Sequence, residues 1–232
     1  MVYLIPSFLA EDAAETIPVY VIAAVKNCQV IFAENERTAR RFLKSMSKEI
    51  VINDYEWYAI HKAEQEQIIN FREKIRKGKN IAIISEAGCP GIADPGQMLV
   101  HEAQQMNEIV KPLVGPSSIL LALMASGLNG QHFSFIGYLP IYNVERKKKI
   151  KQLEEESSKI KCTQIFIETP YRNNKMLETI LQVCNPATQL CIAAELTSPN
   201  EWIKTKIIAD WKKEKVDLHK KPVIFLIYTP YP

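Results

Sequence analysis

The sequence has no pair of closely spaced cysteines. Its five cysteines are odd in number and scattered along 232 residues, at Cys28, Cys89, Cys162, Cys184 and Cys191. A disulfide framework usually has an even, clustered set, and a structural zinc site has thiolates two to four residues apart. Neither kind of site is therefore predicted. We expect the cysteines to be small buried hydrophobic residues of a protein in a reducing compartment.

Long apolar runs are also missing. No stretch approaches the roughly 20 uninterrupted apolar residues that a membrane-spanning helix needs. The first residues do not combine a basic region, an apolar run and a small-residue cleavage site, so no signal peptide is predicted. The net charge of +3 is too small to indicate a nucleic-acid partner by itself. These absences predict a cytoplasmic protein with no membrane partner.

The length and composition are those of a globular protein with a substantial core. Hydrophobic residues make up 47% of the chain and charged residues 24%. A length of 232 residues fits two domains of ordinary size. The character of the sequence changes from Gly127 onward, so we place the boundary near residues 115–130 and expect domains at 1–115 and 116–232.

The most informative stretch is KNIAIISEAGCPGIADPG, residues 79–96. Asn80–Ile84 is apolar on both faces, as a parallel strand buried between two helical layers should be. Glycines and prolines then crowd the next residues, where they permit positive φ and close approach of the backbone. A loop after a parallel strand lies at the carboxyl edge of the sheet, where open α/β proteins bind ligands. The sequence thus indicates a binding loop, although a purely structural turn has the same composition.

Polar residues in this loop supply candidate ligand contacts. Ser85, Glu86 and Asp94 can hydrogen-bond a ligand, while Asp94 is equally suited to be a general base or the N-cap of the next helix. No Gly-Lys-Ser/Thr follows, which excludes a Walker phosphate loop, and the G-x-G-x-x-G order of a dinucleotide site is absent. At the later turn, Ser117 or Ser118 can cap a helix, and such a helix start can also bind a carboxylate or hydroxyl groups.

A second cluster is basic. Arg37, Arg40, Arg41 and Lys44 recur at helical spacing directly after a predicted strand at residues 29–33 that delivers Glu34. A solvated helix face is the usual meaning of such a stripe, but here it begins at the predicted site edge. A second basic run covers residues 146–151.

The remaining pattern predicts alternating strands and helices, and therefore an α/β fold with a mixed sheet in the second half. Predicted helices are 17–26, with Pro18 in its first turn, 55–77, 99–107, 119–126, 146–161 and 174–183. Predicted strands are 1–5, 29–33, 80–84, 109–114, 132–138, 163–168, 189–195 and 223–228.

These motifs resemble the tetrapyrrole methylase superfamily. SEAGCPGIADPG is similar to the S-D-A-G-T-P-G-I-S-D-P-G loop of its ribosomal RNA ribose methyltransferase branch. Further segments match in the same order through most of the chain: AENERTARRFLK, VGPSSILLALMASGL, FIGYLP, IETPYRN and AAELT.

The resemblance implies two α/β domains, a cofactor cleft between them and a homodimer. It implies a methyltransferase that uses S-adenosylmethionine to modify a ribose 2′-hydroxyl of small-subunit ribosomal RNA, with no metal. The acids that we consider for catalysis are Glu34, Asp94 and Glu168. The expected RNA contacts are Arg37, Arg40, Arg41 and Arg172. The expected cofactor contacts are Ser85, Glu86, Ala87, Gly88, Pro90, Gly91, Ile92, Ala93, Asp94, Gly115, Pro116, Ser117 and Ser118.

The chain also departs from the family pattern. Its first loop, residues 6–12, has none of the glycines of G-T-P-I-G-N-L, and Asn35 and Glu36 alter A-E-D-T-R. Tyr171 replaces the histidine of E-S-P-H-R, and Ala194 and Ser198 replace the two cations of R-E-L-T-K. Two alternatives therefore stay open: a methylase of a small tetrapyrrole-like molecule, and a non-catalytic S-adenosylmethionine-binding protein.

Overall fold

The computed structural model describes residues 1–11, 13–60 and 64–229. The chain divides into two compact units, Met1–Ser117 and Ser118–Pro232, and each contains its own five-stranded sheet. None of the helices in the described ranges has the length and apolar character required to cross a membrane.

The first unit contains a wholly parallel sheet. Its strands are β1 (Val2–Ile5), β2 (Val30–Ala33), β3 (Glu56–Ala59), β4 (Ile81–Ile84) and β5 (Val110–Pro112). They lie in the order β3-β2-β4-β1-β5, which puts β4 at the centre. The helices are α1 (Tyr20–Lys26), α2 (Glu36–Met46), α3 (Glu64–Arg76) and α4 (Gln97–Gln105), with short 3-10 turns at Ala14–Thr16 and Ile52–Asp54.

Helices cover both faces of this sheet. Every residue of β4 is buried: Ala82 and Ile84 lie in a core with side chains of α1 and α2, whereas Ile81 and Ile83 lie in a core with side chains of α3 and α4. Alternate residues of a strand point to opposite faces, so an apolar run fills both cores at once. The prediction that this strand is buried on both sides is confirmed.

Two predictions in the first unit are wrong in part. Residues 55–77 are not one helix, because 56–59 form strand β3 and α3 begins at Glu64. Tyr58 stacks on Phe32 with ring centroids 4.8 Å apart, whereas Trp57 packs in the opposite core. This two-residue alternation outweighs the charged composition of the segment. Helix α1 begins at Tyr20, so Pro18 precedes the helix and does not occupy its first turn.

The second unit contains the mixed sheet that the sequence predicts. Its strands are β6 (Phe133–Tyr138), β7 (Thr163–Ile167), β8 (Gln189–Ala194), β9 (Trp202–Ile207) and β10 (Val223–Tyr228). The order is β6-β7-β10-β8-β9, with only the β6–β7 pair parallel. The helices are α5 (Ser118–Ser126), α6 (Asn143–Ile160), α7 (Asn173–Val183) and α8 (Ile208–Trp211).

One large core holds the second unit together. Side chains of α6, α7 and α8 pack against alternate residues of the central strands, including Phe166 and Phe225, whose rings stack at 5.8 Å. Helix α5 contacts β8, β9 and β10. Strand β9 and helix α8 were not predicted, since WIKTKI alternates too weakly to stand out. All five cysteines are free thiols, and four are buried as expected; Cys89 is half-buried in the binding loop.

Candidate functional site

The ends of three parallel strands bring the candidate residues to one edge of the first sheet. In the strand register, Ile84 is opposite both Ile5 and Ala33. The segments that begin at Pro6, Glu34 and Ser85 therefore leave the sheet side by side, as expected for the carboxyl edge of a parallel sheet.

The first of these segments is tied directly to the second loop. The backbones of Ser7 and Gly88 exchange hydrogen bonds, with N to O distances of 2.8 and 3.2 Å. The buried Ser7 hydroxyl also donates to the Ser85 carbonyl at 2.8 Å. The segment that begins at Pro6, which contains no glycine, thus supports the glycine-rich loop after β4. Sequence reasoning missed Ser7, whose neighbours show no motif, and Asp12 of the same predicted loop lies outside the described residues.

Acidic side chains gather beside this loop. Glu34 is 9% exposed, and its Oε2 accepts a hydrogen bond from the Glu86 backbone N–H at 2.9 Å. The Glu86 carboxylate accepts one from the Thr38 hydroxyl at 3.1 Å. Burial, followed by repulsion from Glu34 and Glu86, raises the pKa of Asp94 to about 7. The three carboxylates are thus close enough to interact.

Asp94 does not have the capping role considered for it. The N-cap of α4 is Gly96, and no side-chain bond comes from that residue. Instead, Oε1 of Glu64 accepts hydrogen bonds from the backbone N–H groups of Gly96, Met98 and Leu99, at 3.0, 2.7 and 3.2 Å. A carboxylate from another helix thus satisfies the N–H groups that a helix start leaves open. Glu64 lies 32 to 35 residues before the N–H groups that it accepts from, and this separation hid the contact from sequence reasoning.

The loop conformation depends on backbone geometry that few residues adopt. Gly91 has φ of +78°, and Ala93 keeps a positive φ of 63° although it carries a side chain. A non-glycine residue in this region carries strain that often marks a binding site. Gly115 is required for a different reason, since a Cβ there would lie 2.1 Å from Cβ of Pro6.

The turn at 115–118 lies close to the same loop. The Cys89 thiol donates to the carbonyl of Pro116 at 3.5 Å, and the pKa of this thiol is raised by burial and by the charge of Asp94. Pro116 is buried, and Ser118 is the first residue of α5.

The basic residues on α2 are placed differently from one another. Arg37 is exposed. Arg40 pairs with Glu36 at 3.2 Å and lies 4.6 Å over the Trp57 ring, and Arg41 pairs with Glu11 at 3.5 Å. Asn35 departs from the family pattern for a structural reason. Its Oδ1 caps α2 by accepting hydrogen bonds from the N–H groups of Arg37 and Thr38.

In the second unit, Glu168 is held by its neighbours. It is 5% exposed, and its Oε1 accepts from the Thr169 N–H at 2.7 Å and from Nη2 of Arg172 at 2.6 Å. The bond from Arg172 raises the pKa of that guanidinium. This geometry makes Glu168 an anchor for Arg172.

The second basic run, residues 146–151, does not expose all of its cations to solvent. Arg146 is only 4% exposed, and its guanidinium bonds to Thr179, to the Ile141 carbonyl and to Asn143. These bonds give Arg146 a structural role in the second unit. Lys148 and Lys151 of the run are exposed.

With this geometry in place, comparison with known proteins identifies the family. The model of the tetrapyrrole (corrin/porphyrin) methylases matches residues 12–210. The chain belongs to this family.

Several relatives carry the name ribosomal RNA small subunit methyltransferase I. The protein of this name from Buchnera aphidicola subsp. Schizaphis graminum is 31% identical over 98% of this chain and 77% of its own length. That from Vibrio cholerae is 34% identical over 74% of this chain, and that from Bacillus subtilis is 29% identical over 92%. The chain spans 59% of the length of the Vibrio protein.

Solved structures with the same fold are methyltransferases. Uroporphyrin-III C-methyltransferase from Thermus thermophilus aligns over 98% of this chain and 91% of its own, with a TM-score of 0.56 and 15% identity. Cobalt precorrin-4 methyltransferase, a cobalamin biosynthetic enzyme, aligns over 98% and 94%, with a TM-score of 0.61 and 13% identity. At such identities the similarity establishes the α/β fold predicted from the sequence.

Proposed function

We propose that this chain is an S-adenosylmethionine-dependent methyltransferase that modifies a ribose 2′-hydroxyl of small-subunit ribosomal RNA. The observation that carries this proposal is the sequence similarity to relatives named ribosomal RNA small subunit methyltransferase I, which in the Buchnera protein extends over 98% of the chain. The glycine-rich loop at the carboxyl edge of the first sheet is where we propose that the cofactor binds.

The described loop suits S-adenosylmethionine. Glu34, Glu86 and Asp94 make the edge negative, which favours a ligand with a sulfonium and an ammonium group. Within the described part of the chain, the Asp94 carboxylate has no hydrogen-bond partner, so it is available to accept bonds from a ligand. Gly88 and Gly91 supply the positive φ angles that shape this loop, and Gly115 leaves room for Pro6 beside it.

The residues that we propose to hold the cofactor are the loop Ser85–Asp94 and the turn Gly115–Ser118. When bound, S-adenosylmethionine supplies a methyl group on a sulfonium, which an oxygen can take up by in-line displacement. The protein then needs chiefly to align the acceptor oxygen with that methyl group.

A ribose hydroxyl must also lose its proton, and Asp94 is the side chain best suited to take it. A pKa of about 7 leaves a substantial deprotonated fraction at neutral pH and keeps the carboxylate more basic than an ordinary aspartate. We give Glu34 a supporting role, because its carboxylate accepts a hydrogen bond from the Glu86 backbone N–H. Glu168 is occupied by Arg172 and Thr169, so we give it the role of positioning Arg172.

The two alternatives from the sequence are less well supported. Solved structures of tetrapyrrole methylases share the fold at only 13 to 16% identity, which carries no information on the acceptor. A protein that only binds S-adenosylmethionine would not need a carboxyl group tuned to neutral pH beside the loop.

The homodimer and the cytoplasmic location remain parts of the proposal. Leu120 and Met124 lie one turn apart on α5 and are 50% and 78% exposed, which fits a surface covered by a second copy. Four buried free thiols fit a reducing compartment. Sedimentation of the purified protein measures the oligomeric state.

The decisive experiment maps methylated nucleotides in small-subunit ribosomal RNA by mass spectrometry, in cells with and without the gene. We expect one ribose methylation to disappear with the gene and to return with the wild-type copy. An unchanged methylation map would contradict the proposal.

A further inference from the structure

The loop between β6 and α6 exposes the densest group of large apolar side chains among the described residues. Its members lie within residues 138–144 and are 60% to 77% exposed: Tyr138, Ile141, Tyr142 and Val144. Single apolar residues are common on protein surfaces, whereas a contiguous group usually marks a surface that another molecule covers.

This loop is held in place from the inside. The buried guanidinium of Arg146 donates to the Ile141 carbonyl at 2.8 Å and to Oδ1 of Asn143 at 3.1 Å. The Arg146 N–H donates to the Tyr142 carbonyl at 2.9 Å. These bonds use the backbone of Ile141 and Tyr142 and leave both side chains exposed. A surface that is already ordered loses little conformational freedom when a ligand binds.

Lysines extend the surface along α6. Val144, Lys147, Lys148 and Lys151 recur at i, i+3, i+4 and i+7, so they lie on one face of the helix. Lys148 and Lys151 are exposed, and Lys147 is partly exposed. We call this face, together with loop residues 138–142, the α6 surface.

Positive charge is concentrated at the end of α6 that follows the apolar loop. Residues 143–151 hold five cations and one carboxylate, Glu145. Arg146 is buried, and none of the four lysines in this segment pairs with a carboxylate of the described residues. Further carboxylates follow only in the next turn, at 154–156, where Oε1 of Glu154 accepts from a backbone N–H at 2.7 Å.

The lysine spacing is unfavourable for an isolated helix. Lys151 lies four residues after Lys147 and three after Lys148, and like charges at these spacings repel each other. A bound polyanion would remove this repulsion. A second copy of the chain is a poor occupant, because a two-fold contact centred on the α6 surface would bring lysines against lysines.

We propose that the α6 surface binds an unpaired segment of the RNA substrate, with phosphates along Lys147, Lys148 and Lys151 and a base stacked on Tyr142. Aromatic rings beside cations are a usual means of holding unpaired strands. This inference rests on the proposed function, which supplies RNA as the polyanion. A base must leave a duplex before it can stack on a side chain, so paired RNA should use the lysines alone.

The first test measures binding of an unstructured oligoribonucleotide from small-subunit ribosomal RNA, and of the same sequence in a duplex, by fluorescence anisotropy. Tyr142→Ala and Tyr142→Leu should bind the single strand at least about five-fold more weakly, whereas Tyr142→Phe keeps the ring and should bind like the wild type. Duplex affinity should be unchanged in all three. Tyr142 makes no side-chain capping bond to α6, so these variants leave the helix start intact.

The second test removes lysines. Lys147→Gln with Lys151→Gln should weaken binding of both RNA forms and reduce the single-strand slope of log affinity against log salt by about 1.4. The matched control, Lys204→Gln with Lys215→Gln, makes the same charge change at two exposed positions of the same unit and should keep the wild-type slope. Affinity for S-adenosylmethionine should be unchanged in both double variants, because none of these residues belongs to the proposed cofactor loop.

Three outcomes would overturn the inference. The first is equal single-strand affinity in all Tyr142 variants, and the second is an equal change of slope in the two lysine double variants. The third concerns vesicles of phosphatidylserine and phosphatidylcholine as a second probe. If the wild type binds these vesicles, and the Tyr142 and Lys147 variants lose that binding while keeping RNA affinity, the surface serves a membrane and not RNA.

Methylation assays distinguish failure of this inference from failure of the proposed function. A wild type that methylates ribosomal RNA, while Tyr142→Ala and the Lys147 and Lys151 double variant keep its KM for RNA, would refute the α6 surface and leave the proposed function standing. A wild type that binds RNA through the α6 surface but methylates no ribosomal RNA would support the surface and refute the proposed function.

Discussion

At the scale of single residues, Asp94 carries a stability cost. Its carboxyl group has a pKa of about 7 in the fold, against 3.8 when unperturbed. The folded state therefore binds more protons than the unfolded state between pH 4 and 7, and stability falls as pH rises through this window. Above pH 7 the cost is fully present.

Asp94→Asn removes this cost. We expect the variant to be more stable than the wild type at pH 8, by about 1 to 2 kcal/mol after screening of a half-buried group. The gap should shrink as the pH is lowered to 4, because the wild-type carboxyl group is then neutral in both states. Urea unfolding at several pH values measures this, and a gap independent of pH would contradict it.

The same substitution tests the chemistry. If Asp94 takes the proton of the ribose hydroxyl, Asp94→Asn should lower kcat by about 10² to 10⁴-fold and leave cofactor affinity within a few-fold. The wild-type rate should rise with pH through about 7, and that rise should vanish in the variant. Glu34→Gln is the companion variant, and an amide variant with full activity excludes its residue as the base.

At the scale of elements, the loop after β4 depends on Gly91. A β-branched residue at φ of +78° is strained, so Gly91→Val should distort the loop and abolish binding of S-adenosylmethionine. Gly78→Val is a matched control, because Gly78 has φ of +67° and open space around it, away from the loop. Calorimetry should show no binding in the first variant and wild-type affinity in the second.

Helix α4 depends on a carboxylate outside its own sequence. Because Glu64 satisfies three N–H groups at the helix start, Glu64→Ala should lower the free energy of unfolding by about 1 to 2 kcal/mol. Glu66→Ala changes an exposed residue in the same turn of α3 and should cost less than about 0.5 kcal/mol. Equal losses in denaturant unfolding would show that Glu64 is not a cap.

These elements also show what the sequence reveals. Strand β4 and its loop can be predicted from the sequence, because an apolar run followed by glycines and prolines commonly forms a buried strand and a turn. Strand β3 is concealed, because its burial comes from Trp57 and Tyr58 on opposite faces within a polar segment. The contacts of Ser7 and Glu64 join distant parts of the chain, and local periodicity carries no record of such contacts.

At the scale of the whole molecule, two sheets of different kind share one chain. The first is parallel and places the proposed cofactor loop at its carboxyl edge, whereas the second is mixed and presents aromatic and cationic side chains. The alternation of strands and helices predicts both sheets. The electrostatic character of each edge depends on which cations are exposed, and that emerges only from the fold: Arg40 lies over Trp57 and Arg146 is buried.

The distribution of exposed cations predicts how RNA affinity responds to salt. Arg37 on α2 and Lys148 on α6 are exposed members of the two basic runs. If both neutralise phosphates, the double variant Arg37→Glu with Lys148→Glu should bind small-subunit ribosomal RNA more weakly and flatten the slope of log affinity against log salt by about 1.4 to 1.8.

The control is the double variant Lys48→Glu with Lys159→Glu, which changes the net charge by the same amount at two other exposed positions. Filter binding at several salt concentrations should leave that control close to the wild-type slope, because only removed phosphate contacts change the number of released counterions. Equal flattening in both double variants would instead mean that overall charge, and not these two positions, holds the RNA.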